Sequence, residues 1–200
     1  MSEIICISRS YGSGGRTIGR LLSESMGLPC YDRELIYLCS ENGIVDRNTL
    51  AVNDERLQKL SFGSSAPSEM NPYRSRDDVF ECQSGIIREV ADKGSCIIIG
   101  RCAAHILKNS RHKLLRVFVW APEYNCVKTV MEKFAISEKE AMKMIRQIDK
   151  HRADYIKHHT DSSWTDARNY DLCIDTSKVK FEQAALAVRR YSEVFFSQGN

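Results

Sequence analysis

The segment at residues 4–19, IICISRSYGSGGRTIG, restricts the fold more than any other part of the chain. A β-branched run (residues 4–8) passes directly into three glycines, two serines and a threonine gathered around one arginine. Ile18, Leu21, Leu22 and Met26 then recur at helical spacing until Gly27 closes the pattern. A strand, a glycine turn and a helix in immediate succession make the first half of a βαβ unit. Gly12, Gly14 and Gly15 can take positive φ and turn their N–H groups inward as an anion nest. The helix opening near Arg16 points the positive end of its dipole at the same spot. A glycine turn that only lets strand and helix pack closely needs fewer hydroxyls and no arginine, so the phosphate-binding interpretation is preferred.

The segment fits the phosphate-loop pattern G-x-x-x-x-G-K-[ST] with two departures. Gly15, Arg16 and Thr17 fill the last three places, but Ser10 stands at the first glycine and Arg16 replaces lysine. In that role Ser10, Gly12, Ser13, Gly14, Gly15, Arg16 and Thr17 hold a triphosphate, with Arg16 on the β- and γ-phosphates and the Thr17 hydroxyl on Mg²⁺. A guanidinium holds phosphate as a flat fork, whereas an ammonium is a compact charge able to follow a moving phosphoryl group. Nucleotide binding is thus expected, and the rate of transfer is left open.

Four further short runs, at residues 28–31, 96–99, 115–120 and 170–175, alternate with helical patterns. The run CIII at 96–99 lacks polar alternation, as a strand covered on both faces should. A mostly parallel sheet follows. Helices are expected over residues 79–93, with Phe80, Ile86, Ile87 and Val90 inward, and from a capping box at Ser137 and Glu140 to about His158. A closing helix is expected over 181–196, with Ala184, Ala185, Val188 and Tyr191 as its apolar stripe. Residues 61–75 read as a Ser/Pro/Gly-rich loop, so the expectation is one domain over 1–200 with a flexible insert near 41–78.

Composition excludes several classes of function. Hydrophobic residues at 42% and charged residues at 28% are globular averages, and no apolar stretch is long enough to span a membrane. A net charge of +3 argues against a nucleic acid polymer or a membrane surface as partner. The eight cysteines form no C-x-x-C pair, so reduced, mostly buried thiols in a cytoplasmic protein are expected. The motifs do not speak to oligomeric state.

Taken together, ISRSYGSGGRTIG, PCYDRELI at 29–36, IIIGRCA at 97–103, DKHRADY at 149–155 and WTDARNYDLCIDTS at 164–177 resemble the cytidylate kinase-like proteins, relatives of the P-loop nucleoside monophosphate kinases. The resemblance covers nearly the whole chain and is weakest over 41–75. It implies a three-layer α/β/α P-loop kinase fold, with a five-stranded parallel sheet and a helical lid near 137–168. It also implies ATP over the glycine loop, with Mg²⁺, and a nucleotide acceptor opposite. Authentic cytidylate kinases carry L-D-T-G-A-x-Y after the second strand and D-G-R-D after the third. Here Arg33 and Glu34 replace Thr-Gly, and only Gly100 and Arg101 survive of the second motif.

Arg101, at the C-terminal end of a parallel strand, is placed to hold an acceptor phosphate rather than to serve as a surface ion pair. Asp32 either orients the acceptor, pairs with a site arginine or orders Mg²⁺ through water, or it caps the following helix; Arg33 faces the acceptor or solvent. On the resemblance, Arg146 and Arg152 are lid arginines that neutralise charge on the transferred phosphoryl group; by spacing alone they would be a solvated helix face. Arg74, Arg76, Ser177 and Lys178 are weaker candidates, and His151, His158 and His159 are expected to be solvated. The functions expected are ATP-dependent transfer to a nucleoside monophosphate, a nucleotide-binding regulatory module with little transfer, or a kinase for a non-nucleotide acceptor.

Overall fold

The computed structural model describes residues 1–32 and 76–197. By internal contacts the chain divides into two compact units, Met1–Asp32 with Ala91–Asn200, and Arg33–Val90. The expected insert near 41–78 lies almost wholly outside the described residues, as does Arg33. Of the second unit, residues 76–90 are described; they lie in helix α2 (Arg76–Lys93), with Val79, Ile86, Ile87 and Val90 buried.

The first unit is built on strands β1 (Glu3–Arg9), β2 (Cys30–Tyr31), β3 (Cys96–Ile99), β4 (Lys113–Trp120) and β5 (Leu172–Asp175). They form one parallel sheet in the order β2-β3-β1-β4-β5. β1, β3 and β4 are rich in Ile and Val, and all five runs are too short to complete a stable helix, so they became strands. Register sets Ile5 against Ile97 and Leu115, and Ile7 against Ile99 and Val117. These odd-numbered side chains bury themselves against Ile18 and Leu22 of α1 (Gly15–Met26) and against Ala184, Ala185 and Val188 of the last helix, α6 (Phe181–Ser197). The stripe on α6 differs from expectation at one place. Tyr191 is 37% exposed, and Ser192 is buried instead, its hydroxyl donating to the Arg189 carbonyl. A serine that satisfies itself within the helix can be buried where spacing alone favours the tyrosine.

Three further helices complete the unit: α3 (Ala103–Ile106), α4 (Glu123–Phe134) and α5 (Glu138–Thr160). The Ser137/Glu140 capping box is present, with both reciprocal bonds. α4 was not anticipated, although Cys126, Val127 and Val130 carry helical spacing; they pack on Ala141 and Ile145 of α5. Trp164 and Tyr170 fasten the segment returning to β5, since Phe118 meets Trp164 edge-on and stacks on Tyr170 at 4.9 Å.

Cys6, Cys96, Cys102 and Cys126 are buried free thiols, whereas Cys173 is exposed. Burial pushes the Cys96 and Cys126 thiols up to about 11 and Cys102 to about 12. Because burial disfavours the charged form, the thiolate fraction of Cys96 and Cys126 at pH 8 is roughly a thousandth. Titration of the native protein with a disulfide reagent at pH 8 is therefore expected to modify Cys173 before these four, which react only on unfolding.

Candidate active site at the glycine loop

The loop is held in shape by hydrogen bonds from its own serines and from β4, β5 and α5. Ser10 N–H donates to the Val119 carbonyl at 3.0 Å, and the buried Ser13 hydroxyl donates to the carbonyls of Ser10 (2.9 Å) and Val119 (3.0 Å). From β5's end the Thr176 hydroxyl donates to the Ser13 carbonyl at 2.9 Å. From α5 the Asp149 carboxylate accepts the Tyr11 N–H at 2.8 Å. Gly12 and Gly14 are left-handed, at φ +88° and +84°. A Cβ on Gly12 would lie 2.7 Å from the Cys126 carbonyl oxygen, one on Gly15 would lie 2.5 Å from Arg9 Cβ, and one on Gly14 would run into the Phe181 ring.

With the loop so fixed, the N–H groups of Gly12, Gly14, Gly15 and Thr17 donate to no acceptor among the described residues. α1 has Gly14 as its N-cap residue, with no side-chain cap and no acid in its first turn. Helix starts are ordinarily capped by a side-chain oxygen. This one instead offers bare donors and a positive dipole end, the arrangement that binds phosphate. The Thr17 side chain is exposed beside it.

Two arginines flank the loop and meet on one carboxylate. Arg16 Nε pairs closely with Asp32 Oδ2, and Arg9 Nη2 lies 3.6 Å from Asp32 Oδ1. Arg16 is 36% exposed and Asp32 14%, so the pair is only partly in solvent. Of the roles open to Asp32, pairing with a site arginine is the geometry seen; the cap alternative concerns a helix outside the described residues. Arg9 was not singled out from the sequence. A charged residue closing an apolar strand directly before the glycines was the available signal. Gly100 accommodates it: a Cβ there would strike the Arg9 guanidinium.

After β3 the backbone stays left-handed for three residues, Gly100, Arg101 and Cys102, at φ 76°, 58° and 55°. The turn is closed by Ala103 N–H donating to the Gly100 carbonyl at 3.2 Å. Left-handed geometry costs a residue with a Cβ about 1–2 kcal/mol. The half-buried Arg101 guanidinium makes no hydrogen bond or ion pair among the described residues. Strain of this kind is typically held where a side chain has work to do.

Arg152 packs against the loop. Its Nη1 donates to the Arg9 carbonyl at 2.8 Å and lies 3.3 Å from Asp149 Oδ1, and its guanidinium covers the Tyr11 ring at 5.5 Å. Arg146, 65% exposed, is joined to Glu123 on α4 by Nε–Oε1 at 2.7 Å and Nη2–Oε2 at 3.2 Å. That bond holds the Glu123 carboxyl below its usual range. The structure therefore gathers Arg9, Arg16, Asp32 and Arg152 about the loop, while Arg146 ties α5 to α4.

A five-stranded parallel sheet with an uncapped glycine nest between β1 and α1 is the arrangement of P-loop kinases. Residues 4–178 match the cytidylate kinase-like family, and the chain belongs to it. An uncharacterized protein from Eubacterium ventriosum is 27% identical and superimposes with a TM-score of 0.72, over 96% of this chain and 99% of that one. A shikimate kinase from Bacteroides thetaiotaomicron shares the fold at 14% identity, with a TM-score of 0.53 over 96% of this chain and 97% of that chain. An APS kinase from Mycobacterium tuberculosis, in complex with AMPPNP and APS, does so at 16% identity, with a TM-score of 0.51 over 96% and 98%. No curated protein matches the sequence. No helix among the described residues is long and apolar enough to cross a membrane.

Proposed function

We propose that the protein moves the γ-phosphoryl group of ATP to a small phosphate-bearing acceptor, a nucleoside monophosphate first among them. One observation carries this: four N–H groups without acceptors among the described residues, at a helix start with no side-chain cap, beside two arginines. In this reading the amides of Gly12, Gly14, Gly15 and Thr17 cradle the β- and γ-phosphates, within a loop that Ser10 and Ser13 shape. Arg16 exchanges Asp32 for a phosphate oxygen, and Arg9 stays behind to keep Asp32 compensated. The exposed Thr17 hydroxyl fits a Mg²⁺ ligand, and the metal's part is to neutralise charge on the bridging phosphate oxygens. Arg101 holds the acceptor phosphate, with Asp32 on the acceptor side; Arg33, also expected there, lies outside the described residues. Arg152 stands beside the loop, where charge spreads in the transition state. Arg146 joins it by leaving Glu123; an exposed ion pair of this kind is worth at most about 1 kcal/mol, so the exchange is easy. Such preorganised positive charge is the main term in phosphoryl transfer.

The Arg16–Asp32 pair also favours a second reading, a nucleotide-binding module with little transfer, in which the guanidinium never leaves the aspartate. A coupled ADP-release assay over the nucleoside monophosphates, with shikimate as a non-nucleotide arm, separates them. Stimulation by one acceptor supports the kinase. Tight ATP binding with no acceptor-dependent turnover supports the module. Arg16→Ala is expected to weaken Mg-ATP binding tenfold or more in calorimetry, since a charge-assisted contact is worth about 1.5–3 kcal/mol. Unchanged affinity would remove the loop from the site.

A further inference from the structure

α6 packs Ala184, Ala185 and Val188 against the sheet and leaves its other side bare. Of the seven large hydrophobic side chains exposed among the described residues, three stand on that bare side: Leu186 at 53%, Tyr191 at 37% and Val194 at 59%. A solitary exposed leucine or valine needs no explanation. Three on one helix face form an apolar patch where a solvated helix ordinarily carries polar side chains, and such patches mark docking surfaces.

Charge on the same side has a direction. Glu182, exposed in the first turn, makes no ion pair or side-chain hydrogen bond among the described residues. Beyond Leu186, two arginines share one carboxylate: Arg189 Nε lies 3.1 Å from Glu193 Oε1, and Arg190 Nη1 lies 2.9 Å from Glu193 Oε2. One carboxylate cannot neutralise two guanidiniums. The exposed row Glu182–Leu186–Arg190–Val194 therefore carries an unshared acid before Leu186 and surplus positive charge after it.

Glu182 and Arg190 stand four residues, or about 6 Å along the axis, to either side of Leu186. A second α6 laid antiparallel across the first at Leu186 brings each Glu182 level with the partner's Arg190, twice over by the two-fold axis. A parallel copy would set like charges together. The neighbouring row, Gln183–Ala187–Tyr191, has its smallest member beside Leu186, and this leaves a hollow for the partner's Leu186. Rows at i±4 meshing in this way make the commonest class of helix crossing.

We propose that α6 is the surface through which two copies of this chain pair about a two-fold axis at Leu186, closed by reciprocal Glu182–Arg190 ion pairs. One helix face buries less than the ~800 Å² per partner of a standard interface, so the dimer is expected to dissociate in the micromolar range. The pairing stands independently of ATP binding and phosphoryl transfer.

Sedimentation velocity of the full chain across micromolar concentrations is expected to show an equilibrium between one and two chains, and Leu186→Asp to abolish it. Glu182→Arg and Arg190→Glu each bring like charges together, and each is expected to weaken self-association about tenfold or more. An equimolar mixture of these two variants sets opposite charges at every facing pair and should associate as tightly as the unaltered chain. A change confined to one helix cannot produce that rescue. All three positions are exposed, so thermal melts should move little. The proposal is overturned by a chain that stays monomeric throughout the range, which would leave the face to a different partner. A dimer indifferent to Leu186→Asp, or a mixture no tighter than either variant alone, overturns it equally.

Discussion

Gly14→Ala is expected to lower the melting temperature by roughly 5–15 °C and to abolish Mg-ATP binding. Two costs add. Gly14 sits at φ +84°, where a Cβ costs about 1–2 kcal/mol. The new methyl also meets the Phe181 ring, and overpacking of this kind costs typically 1–3 kcal/mol. For a chain of this size each kcal/mol is roughly 2–4 °C. Binding is lost for a separate reason: relieving the contact with Phe181 shifts the loop, and with it the Gly14 and Gly15 amides. Gly27→Ala is the control. It too is left-handed, at φ +65°, but nothing lies within 4 Å of its Cβ, so it should lose only about 2–8 °C and keep ATP affinity. Equal thermal shifts in the two variants would mean that Phe181 is not seated on the loop.

Arg101→Gly is expected to do the opposite to stability and function. The substitution relieves a left-handed residue, and the gain is partly offset by about 0.5–1 kcal/mol of added chain entropy in the unfolded state. The melting temperature should hold or rise slightly. Acceptor kcat/KM should fall about a hundredfold, equivalent to about 2.7 kcal/mol of transition-state binding, with ATP affinity little changed. Arg101→Lys should recover only part, because a point charge cannot replace a bidentate fork. Steady-state kinetics with the acceptor identified by the ADP-release panel, alongside thermal melts, check both halves. An equal loss for both substrates would make Arg101 structural.

What is legible in the sequence follows from local physics. Gly27 ends α1 because no other residue takes its conformation so cheaply, and the Ser137/Glu140 pair starts α5 because it satisfies two orphan N–H groups at once. The β-branched runs had to be strands. Less visible was anything decided by partners distant in the chain. α4 follows a proline and carries only a narrow apolar stripe, so it was passed over. Tyr191 and Ser192 changed places because burial depends on what faces the helix, not on its own pattern.

By itself, then, the order of residues determined the alternation of strands and helices, the glycine nest and the arginine beside it, since each depends on neighbours within a few positions. Only tertiary structure decided that Arg9 reaches Asp32 beneath Gly100 and that Asp149 occupies the Tyr11 amide. Those facts come from groups up to 138 residues apart brought within hydrogen-bond reach. Hydrogen bonds and ion pairs act over a few ångströms of space, and sequence distance says little about which groups will meet there.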